Sequence, residues 1–131
     1  MKPAANRRMI HLDTNFLIEA LVANSEAQAT LKTWKNLSEE LGISSIAWSE
    51  FLCGPLTQNE QALAEFLFPA PEPFLPSDAH KAAQLFNATG RRSRSLADCQ
   101  IAAVALRCDA LLATENLSDF ALFESHGLKL A

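Results

Sequence analysis

Short apolar runs alternate with stretches of helical periodicity along this chain of 131 residues. Runs rich in apolar residues predict short strands at 9–12, 43–46, 110–113 and 128–130, with a further one at 74–75 inside a proline-rich connection. Apolar residues three or four positions apart predict helices at 14–23, 25–41, 47–52, 57–68, 77–89 and 95–108, and a short helical turn at 116–123. Strands that alternate with helices need crossover connections. The pattern therefore predicts an α/β fold, a three-layer α/β/α sandwich with a mostly parallel central sheet.

The composition is that of a globular protein and narrows the function. With 49% hydrophobic and 20% charged residues, we expect one domain at 9–131, preceded by a flexible polar segment at 1–8. The net charge of −4 argues against non-specific coating of nucleic acid, but it does not exclude a nucleic-acid substrate reached through metal ions and a local basic patch. No apolar run reaches the roughly 18 residues of a membrane span, and the three cysteines form no CxxC pair. We therefore expect a cytoplasmic protein with no membrane partner, whose cysteines are small buried residues.

Acidic and amide side chains stand where predicted strands give way to helices. Asp13 follows the first strand, Glu50 and Asp98 lie early in later helices, and Asn116 and Asp119 follow the strand at 110–113. In a parallel sheet these junctions share one edge, the edge at which such folds bind ligands. Carboxylates with a carboxamide are hard oxygen ligands that suit Mg²⁺ or Mn²⁺. The spacing therefore predicts a divalent metal site that could activate water for phosphodiester cleavage, a reaction that needs no covalent nucleophile.

Each of these acids also has a purely structural interpretation. Asp13 or Thr14 could simply be a helix N-cap, and Ser95 with Asp98 matches a capping box. Glu50 could be a solvated helix residue, although it fits no cap. The coincidence of several acids at consecutive strand ends favours the metal site over separate caps.

Four motifs make the chain resemble the PIN-domain nucleases, most closely the VapC-type toxins of bacterial toxin–antitoxin pairs. They match in order and spacing and cover nearly the whole chain: Leu12-Asp13-Thr14-Asn15, Ser49-Glu50-Phe51, the stretch 96–106 and the stretch 112–120. The resemblance implies a PIN-like α/β/α sandwich and a Mg²⁺- or Mn²⁺-dependent endoribonuclease. It also implies a homodimer that acts on RNA and is inhibited by a cognate antitoxin protein.

The resemblance assigns roles residue by residue. Asp13, Glu50 and Asp98 match the three nearly universal acids, and Asp119 is favoured over Asn116 for the more variable fourth position. Asp13, Asp98 and one of Asp119 or Asn116 would hold the metal, with Glu50 as a ligand or as the base that orients the attacking water.

Further polar residues flank these motifs. Thr14 and Thr114 could bind metal-bound waters or a substrate phosphate, and Asn15 could brace Asp13. A basic loop before Asp98 could clamp RNA phosphates, or it could be a solvated or antitoxin-facing surface. That loop contains Arg91, Arg92 and Arg94.

Three other functions remain as alternatives. The chain could be a PIN ribonuclease of RNA processing that is not a toxin, or a catalytically silent PIN fold kept for protein interaction. A receiver domain would need an acidic pair near the first strand, and the sequence has none there. His11, in the first strand, is predicted to be a packed core histidine rather than a catalytic base.

Overall fold

A four-stranded parallel sheet forms the centre of the molecule in a computed structural model that describes residues 8–90 and 96–131. The strands are β1 (Met9–Leu12), β2 (Glu40–Gly42), β3 (Leu111–Ala113) and β4 (Lys129–Leu130), and they lie in the order β2-β1-β3-β4. All three strand pairs are parallel. The predicted α/β fold with a parallel sheet is confirmed.

Helices connect these strands and cover the sheet. In the described residues they are α1 (Thr14–Ala20), α2 (Glu26–Asn36), α3 (Ser45–Leu52), α4 (Gln58–Leu67), α5 (Pro76–Ala88), α6 (Leu96–Arg107) and α7 (Leu117–Ala121), followed by a 3₁₀ turn at Glu124–His126. The chain moves one way along the sheet from β1 to β2 and returns past β1 to reach β3. Because such crossovers are right-handed, the two movements place helices on opposite faces of the sheet.

The hydrophobic core lies between the sheet and these helices. Ile10, Leu12 and Leu112 of the inner strands are fully buried. The helices contribute Leu17 of α1 and an almost continuous buried run in α6 from Ile101 to Ala105. The alanine side chains in that run let α6 pack closely against the neighbouring elements of the core, and this packing fixes the position of its first turn.

The second strand and its neighbours were predicted a few residues from where they lie. The helix predicted at 25–41 ends at Asn36, because Ser38 adopts a left-handed conformation with φ 59° that stops it. The chain then re-enters the sheet at Glu40, three residues earlier than the strand predicted at 43–46. Ser44 instead caps α3 through a hydrogen bond from the Ala47 N–H (3.1 Å).

The short strand predicted at 74–75 is wrong. The chain pairs earlier, at Glu72, which forms a single parallel bridge with Ser44. Leu75 is the N-cap position of α5, and Pro76 starts that helix where proline is favoured. The side chain of Asp78 accepts the otherwise unpaired Leu75 N–H (2.8 Å).

The N-terminal segment and the cysteines differ in part from what the sequence predicts. The predicted flexible segment 1–8 lies outside the described residues except for Arg8, whose guanidinium is paired with the buried Glu39 carboxylate. Cys99 is buried as predicted, whereas Cys53 is exposed, which corrects the expectation of three buried thiols. None of the helices in the described ranges is both long enough and apolar enough to span a membrane.

Candidate functional site

Asp13 is the buried centre of the candidate site. Its backbone N–H donates to the Ala113 carbonyl (2.8 Å), so the β1–β3 ladder continues up to this residue. One carboxylate oxygen, Oδ1, accepts the Thr14 N–H (2.8 Å) and caps α1. The other, Oδ2, accepts the Thr114 hydroxyl (2.9 Å). Asp13 is therefore an N-cap and at the same time a carboxylate held between two strand ends.

Thr14 connects Asp13 to Glu50. The Thr14 hydroxyl, at the start of α1, donates to Glu50 Oε1 (2.8 Å) and lies 3.3 Å from the Ala47 carbonyl. Glu50 is in the second turn of α3 and is exposed. The contact brings a carboxylate 37 residues away in sequence to the edge of the sheet that Asp13 occupies.

Thr114 connects Asp13 to the loop that follows β3. Its hydroxyl donates to Asp13 and accepts the Asn116 N–H (2.9 Å). Asn116 is the N-cap position of α7, but its side chain makes no capping hydrogen bond. Asp119 lies in the first turn of the same short helix and is exposed. The Thr114 hydroxyl thus fixes the distance between Asp13 and the loop that carries Asn116 and Asp119.

Asp98 adds a fourth carboxylate from the first turn of α6. Its pKa is raised to about 6, first by burial and then by the charges of Asp13, Asp119 and Glu50. The pKa of Asp13 is raised as well, mainly by burial and further by the charges of Glu50 and Asp119. Hydrogen bonds from the two threonines oppose that rise without cancelling it. The charges of Glu50 and Asp119 therefore reach both Asp13 and Asp98. In the described residues α6 follows α5 and not a strand, so the strand-to-helix junction predicted at Asp98 is wrong.

These carboxylates fit a divalent cation by their chemistry. They offer only hard oxygen donors, and their mutual repulsion is the interaction that a bound divalent ion reverses. Within 8–90 and 96–131, however, no three or more His, Cys, Asp or Glu side chains are arranged as a group that could hold a metal ion. Glu50 and Asp119 are exposed, so their rotamers can change without repacking the core.

The residues that the sequence predicts to support the site differ in their contacts. Thr14 and Thr114 each donate the hydroxyl proton to a carboxylate, Thr14 to Glu50 and Thr114 to Asp13. Asn15 is exposed, and in the described part of the chain the hydrogen bonds to the Asp13 side chain come from Thr14 and Thr114. The three arginines of the basic loop, Arg91, Arg92 and Arg94, lie outside the described residues.

His11 is the packed core histidine that the sequence predicts. Only 3% of its surface is exposed, its Nδ1 has no hydrogen-bond partner among the described residues, and burial lowers its pKa. Its ring lies against Gly42, where an added Cβ would be 3.0 Å from both Cδ2 and Nε2. Two further residues had no sequence signal: Gly42, and Arg107, which binds the buried Asp78 and the partly exposed Glu72. Neither residue belongs to a recognisable motif.

Comparison with solved structures finds several that match most of this chain. The chain is similar to FitAcB from Neisseria gonorrhoeae, with 23% identity, a TM-score of 0.69, and coverage of 93% of this chain and 96% of that one. It is similar to VapBC2 from Rickettsia felis, solved with a DNA fragment from their promoter, with 18% identity, a TM-score of 0.73, and coverage of 94% and 97%. A toxin–antitoxin complex from Klebsiella pneumoniae matches at 28% identity and a TM-score of 0.69, over 86% and 90% of the two chains.

We found no match among curated proteins. The family model described as PIN domain matches residues 10–122, which include Asp13, Glu50, Asp98 and Asp119. With the parallel sheet and the acids at its edge, this match shows that the chain belongs to the PIN-domain family.

Proposed function

We propose that this protein is a divalent-metal-dependent endoribonuclease and the toxin of a type II toxin–antitoxin pair. One observation carries the enzymatic part of the proposal. The charges of Glu50 on α3 and Asp119 on α7 act on Asp13 and Asp98, and the pKa of each of these two acids is raised, mainly by burial and further by those charges. Such a group of carboxylates is unfavourable in a protein without a cationic ligand, whereas a metal-dependent nuclease uses the same carboxylates as ligands.

Asp13, Asp98 and Asp119 would hold the metal, and Glu50 would be a further ligand or the base that orients water. Mg²⁺ or Mn²⁺ would polarise a phosphate oxygen and lower the pKa of the attacking water. Asp119 suits the fourth position better than Asn116, because its charge acts on both Asp13 and Asp98. Asn116 contributes its backbone N–H to Thr114 instead.

The chain's own residues orient this site. Thr14 and Thr114 hold Glu50 and Asp13 through hydrogen bonds of 2.8 and 2.9 Å. Outer hydrogen bonds of this kind fix a ligating carboxylate in one rotamer and typically change metal affinity about 10–100-fold when removed. RNA phosphates would be bound by the metal and by the basic loop at 91–95, because the net charge of −4 provides no general attraction for a polyanion.

A protein partner is supported by one surface of the molecule. An apolar groove between α2 and α4, floored by the end of α1, contains Leu31, Leu63 and Leu67, with Lys32 and Lys35 on its rim. A helix with an apolar face and acidic flanks fits such a groove. The similar Klebsiella pneumoniae structure is a toxin–antitoxin complex. We assign the groove to a cognate antitoxin, and we further propose a cytoplasmic homodimer.

Asp13→Asn is the direct test of the enzyme. Asparagine is as good an N-cap as aspartate, so the variant keeps α1 while it removes the central charge. We expect Mn²⁺ binding, followed by calorimetry, to fall by roughly 100-fold or more, since a direct ligand contributes at least as much as its outer hydrogen bonds. Cleavage of a mixed RNA substrate should fall in parallel.

The alternatives give different results in the same experiments. Wild-type protein that binds no Mn²⁺ and cleaves no RNA would identify an interaction module rather than a nuclease. Cleavage without growth arrest on expression, with or without the product of an adjacent small reading frame, would identify a ribonuclease of RNA processing. Arrest that is relieved by that product and absent in Asp13→Asn supports the toxin.

A further inference from the structure

Arg107, the last residue of α6, binds three separate acceptors. Its Nε donates to both carboxylate oxygens of Asp78 (2.9 and 3.1 Å), one terminal nitrogen donates to Glu72 Oε1 (2.9 Å), and the other donates to the Pro73 carbonyl (2.9 Å). Asp78 is only 1% exposed, whereas the Glu72 side chain is 36% exposed. The planar guanidinium thus joins the end of α6 to the start of α5 and to the segment 72–73, a geometry that lysine cannot reproduce.

Glu72 carries this connection to the start of α3 through its main chain. Its N–H donates to the Ile43 carbonyl (2.8 Å), and its carbonyl accepts both the N–H and the hydroxyl of Ser45 (2.8 Å each). Ser44, the N-cap of α3, forms the parallel bridge with Glu72. The start of α3 is therefore held against the end of α6 by a residue whose side chain Arg107 binds.

The two helices reached by this network carry two of the proposed catalytic acids. Glu50 is on α3, where the Thr14 hydroxyl contacts both its carboxylate and the Ala47 carbonyl. Asp98 is in the first turn of α6, the helix that Arg107 ends. A shift of either helix would change the separation between these carboxylates and Asp13.

We propose that Arg107 is a positioning residue for the metal site, which sets the placement of α3 relative to α6 through Glu72. The inference rests on the proposed metal-dependent function. Arg107 itself touches neither metal nor substrate, because it lies at the opposite end of α6 from Asp98. Its pairing with Asp78 stabilises the fold, and its pairing with Glu72 aligns the acids.

Glu72→Gln separates these two roles. The substitution removes the charge that Arg107 binds, but it leaves the buried Asp78–Arg107 pair intact, so the variant is expected to fold. Arg107→Lys is the second variant: its ammonium can still pair with Asp78 but cannot reach all three acceptors at once. Glu26→Gln is the matched control, because Glu26 is an exposed acid in α2, away from this network.

Three measurements on the full chain are needed: Mn²⁺ affinity by calorimetry, the thermal unfolding midpoint, and amide hydrogen exchange at Ser45 and along α3. We expect Glu72→Gln and Arg107→Lys each to weaken Mn²⁺ binding roughly three- to tenfold, below the loss expected for a direct hydrogen bond to a ligand. Exchange at Ser45 should accelerate in both variants, and the unfolding midpoint of Glu72→Gln should match that of wild type. The double variant should bind Mn²⁺ no more weakly than the single variant with the lower Mn²⁺ affinity, since both changes break the same contact between Arg107 and Glu72.

Unchanged Mn²⁺ affinity and unchanged Ser45 exchange in Glu72→Gln would overturn the positioning role. Losses of affinity that multiply in the double variant would overturn it as well, because they would show two independent effects. A wild-type protein that binds no Mn²⁺ refutes the proposed function instead, and the exchange measurement then still decides whether Arg107 fixes α3.

Discussion

Asp98→Asn should stabilise the metal-free protein, because the site is built from charges that oppose folding. The pKa of Asp98 in the folded protein is about 6, against an ordinary value of 3.8. The folded state therefore holds this proton more tightly than the unfolded state does. The resulting stability is fully present below about pH 4 and is lost as the pH rises to about 6.

The shift sets the size of the effect. A rise of about two units corresponds to roughly 3 kcal/mol at neutral pH if the group were fully shielded from solvent. Asp98 is partly exposed, and screening by water reduces the cost to about 1–2 kcal/mol. Asparagine also loses the favourable interaction of an acid with the first turn of α6, which is worth about 0.3–1 kcal/mol. We therefore expect a net gain of about 1 kcal/mol in the free energy of unfolding at pH 7.5.

Urea denaturation in EDTA, followed by circular dichroism from pH 4 to 8, measures this gain. Glu26→Gln is the matched control, because it too removes an acid from a helix first turn, but outside the site. The thermal midpoint of Asp98→Asn should rise by roughly 3–5 °C at pH 7.5, and the gain should disappear near pH 4. At 10 mM Mg²⁺ the order should reverse, since a ligand at ten times its dissociation constant adds about 1.4 kcal/mol to wild type alone.

Two results would refute this reasoning. If Asp98→Asn were no more stable than wild type at pH 7.5 without metal, burial and the neighbouring charges would not be raising the pKa of Asp98. If the gain were the same at pH 4 and pH 7.5, it would come from packing and not from ionisation.

Two further substitutions test the packing around the site. Thr114→Val should lower the free energy of unfolding by about 1–3 kcal/mol, because it leaves the Asn116 N–H and Asp13 Oδ2 without a partner. Urea titration should show that Thr114→Ser, which keeps the hydroxyl, retains most of the stability. Equal losses for the two variants would contradict the hydrogen-bond explanation. Gly42→Ala should lower the free energy of unfolding by about 1–3 kcal/mol, because the added Cβ would lie 3.0 Å from the His11 ring. The same titration should show a smaller loss when His11→Ala is added. A loss that His11→Ala does not change would be caused by the backbone and not by this contact.

The sequence predicts the fold best where one strong local signal acts. Helix α4 begins after Thr57 as predicted, because Thr57 and Glu60 form a complete capping box. The second strand was misplaced because its position depends on partners distant in sequence. Glu40 pairs with Met9, and Glu39 is held by Arg8. The hydrophobic pattern within 37–46 does not reveal those contacts, so the strand was predicted at the more apolar stretch 43–46.

Asp13 and Asp119 could be placed together from the sequence because they follow β1 and β3, and the ends of parallel strands meet at one edge of the sheet. Asp98 follows α5 in the described residues, so strand ends do not explain its position. The threonine contacts were harder to predict. Thr14 and Thr114 are adjacent to motif residues, but a hydroxyl can donate to water, phosphate or carboxylate, and only the fold determines which acceptor lies within 3 Å. Arg107 was not predictable at all, since its partners Asp78 and Glu72 lie 29 and 35 positions away in sequence.

The four acids differ in rigidity, and this difference predicts how the proposed metal site would bind an ion. Asp13 is buried and has a hydrogen bond to each oxygen, so it cannot change rotamer without losing one of them. Glu50 and Asp119 are exposed, and Glu50 is held by one hydroxyl. The carboxylates repel one another until a cation arrives, so the exposed acids are the ones that relax outward in its absence. Metal binding should therefore order Glu50 and Asp119 around a fixed Asp13. Substitution of Asp13 should then remove binding altogether, whereas substitution of Asp119 should weaken it and leave a residual site.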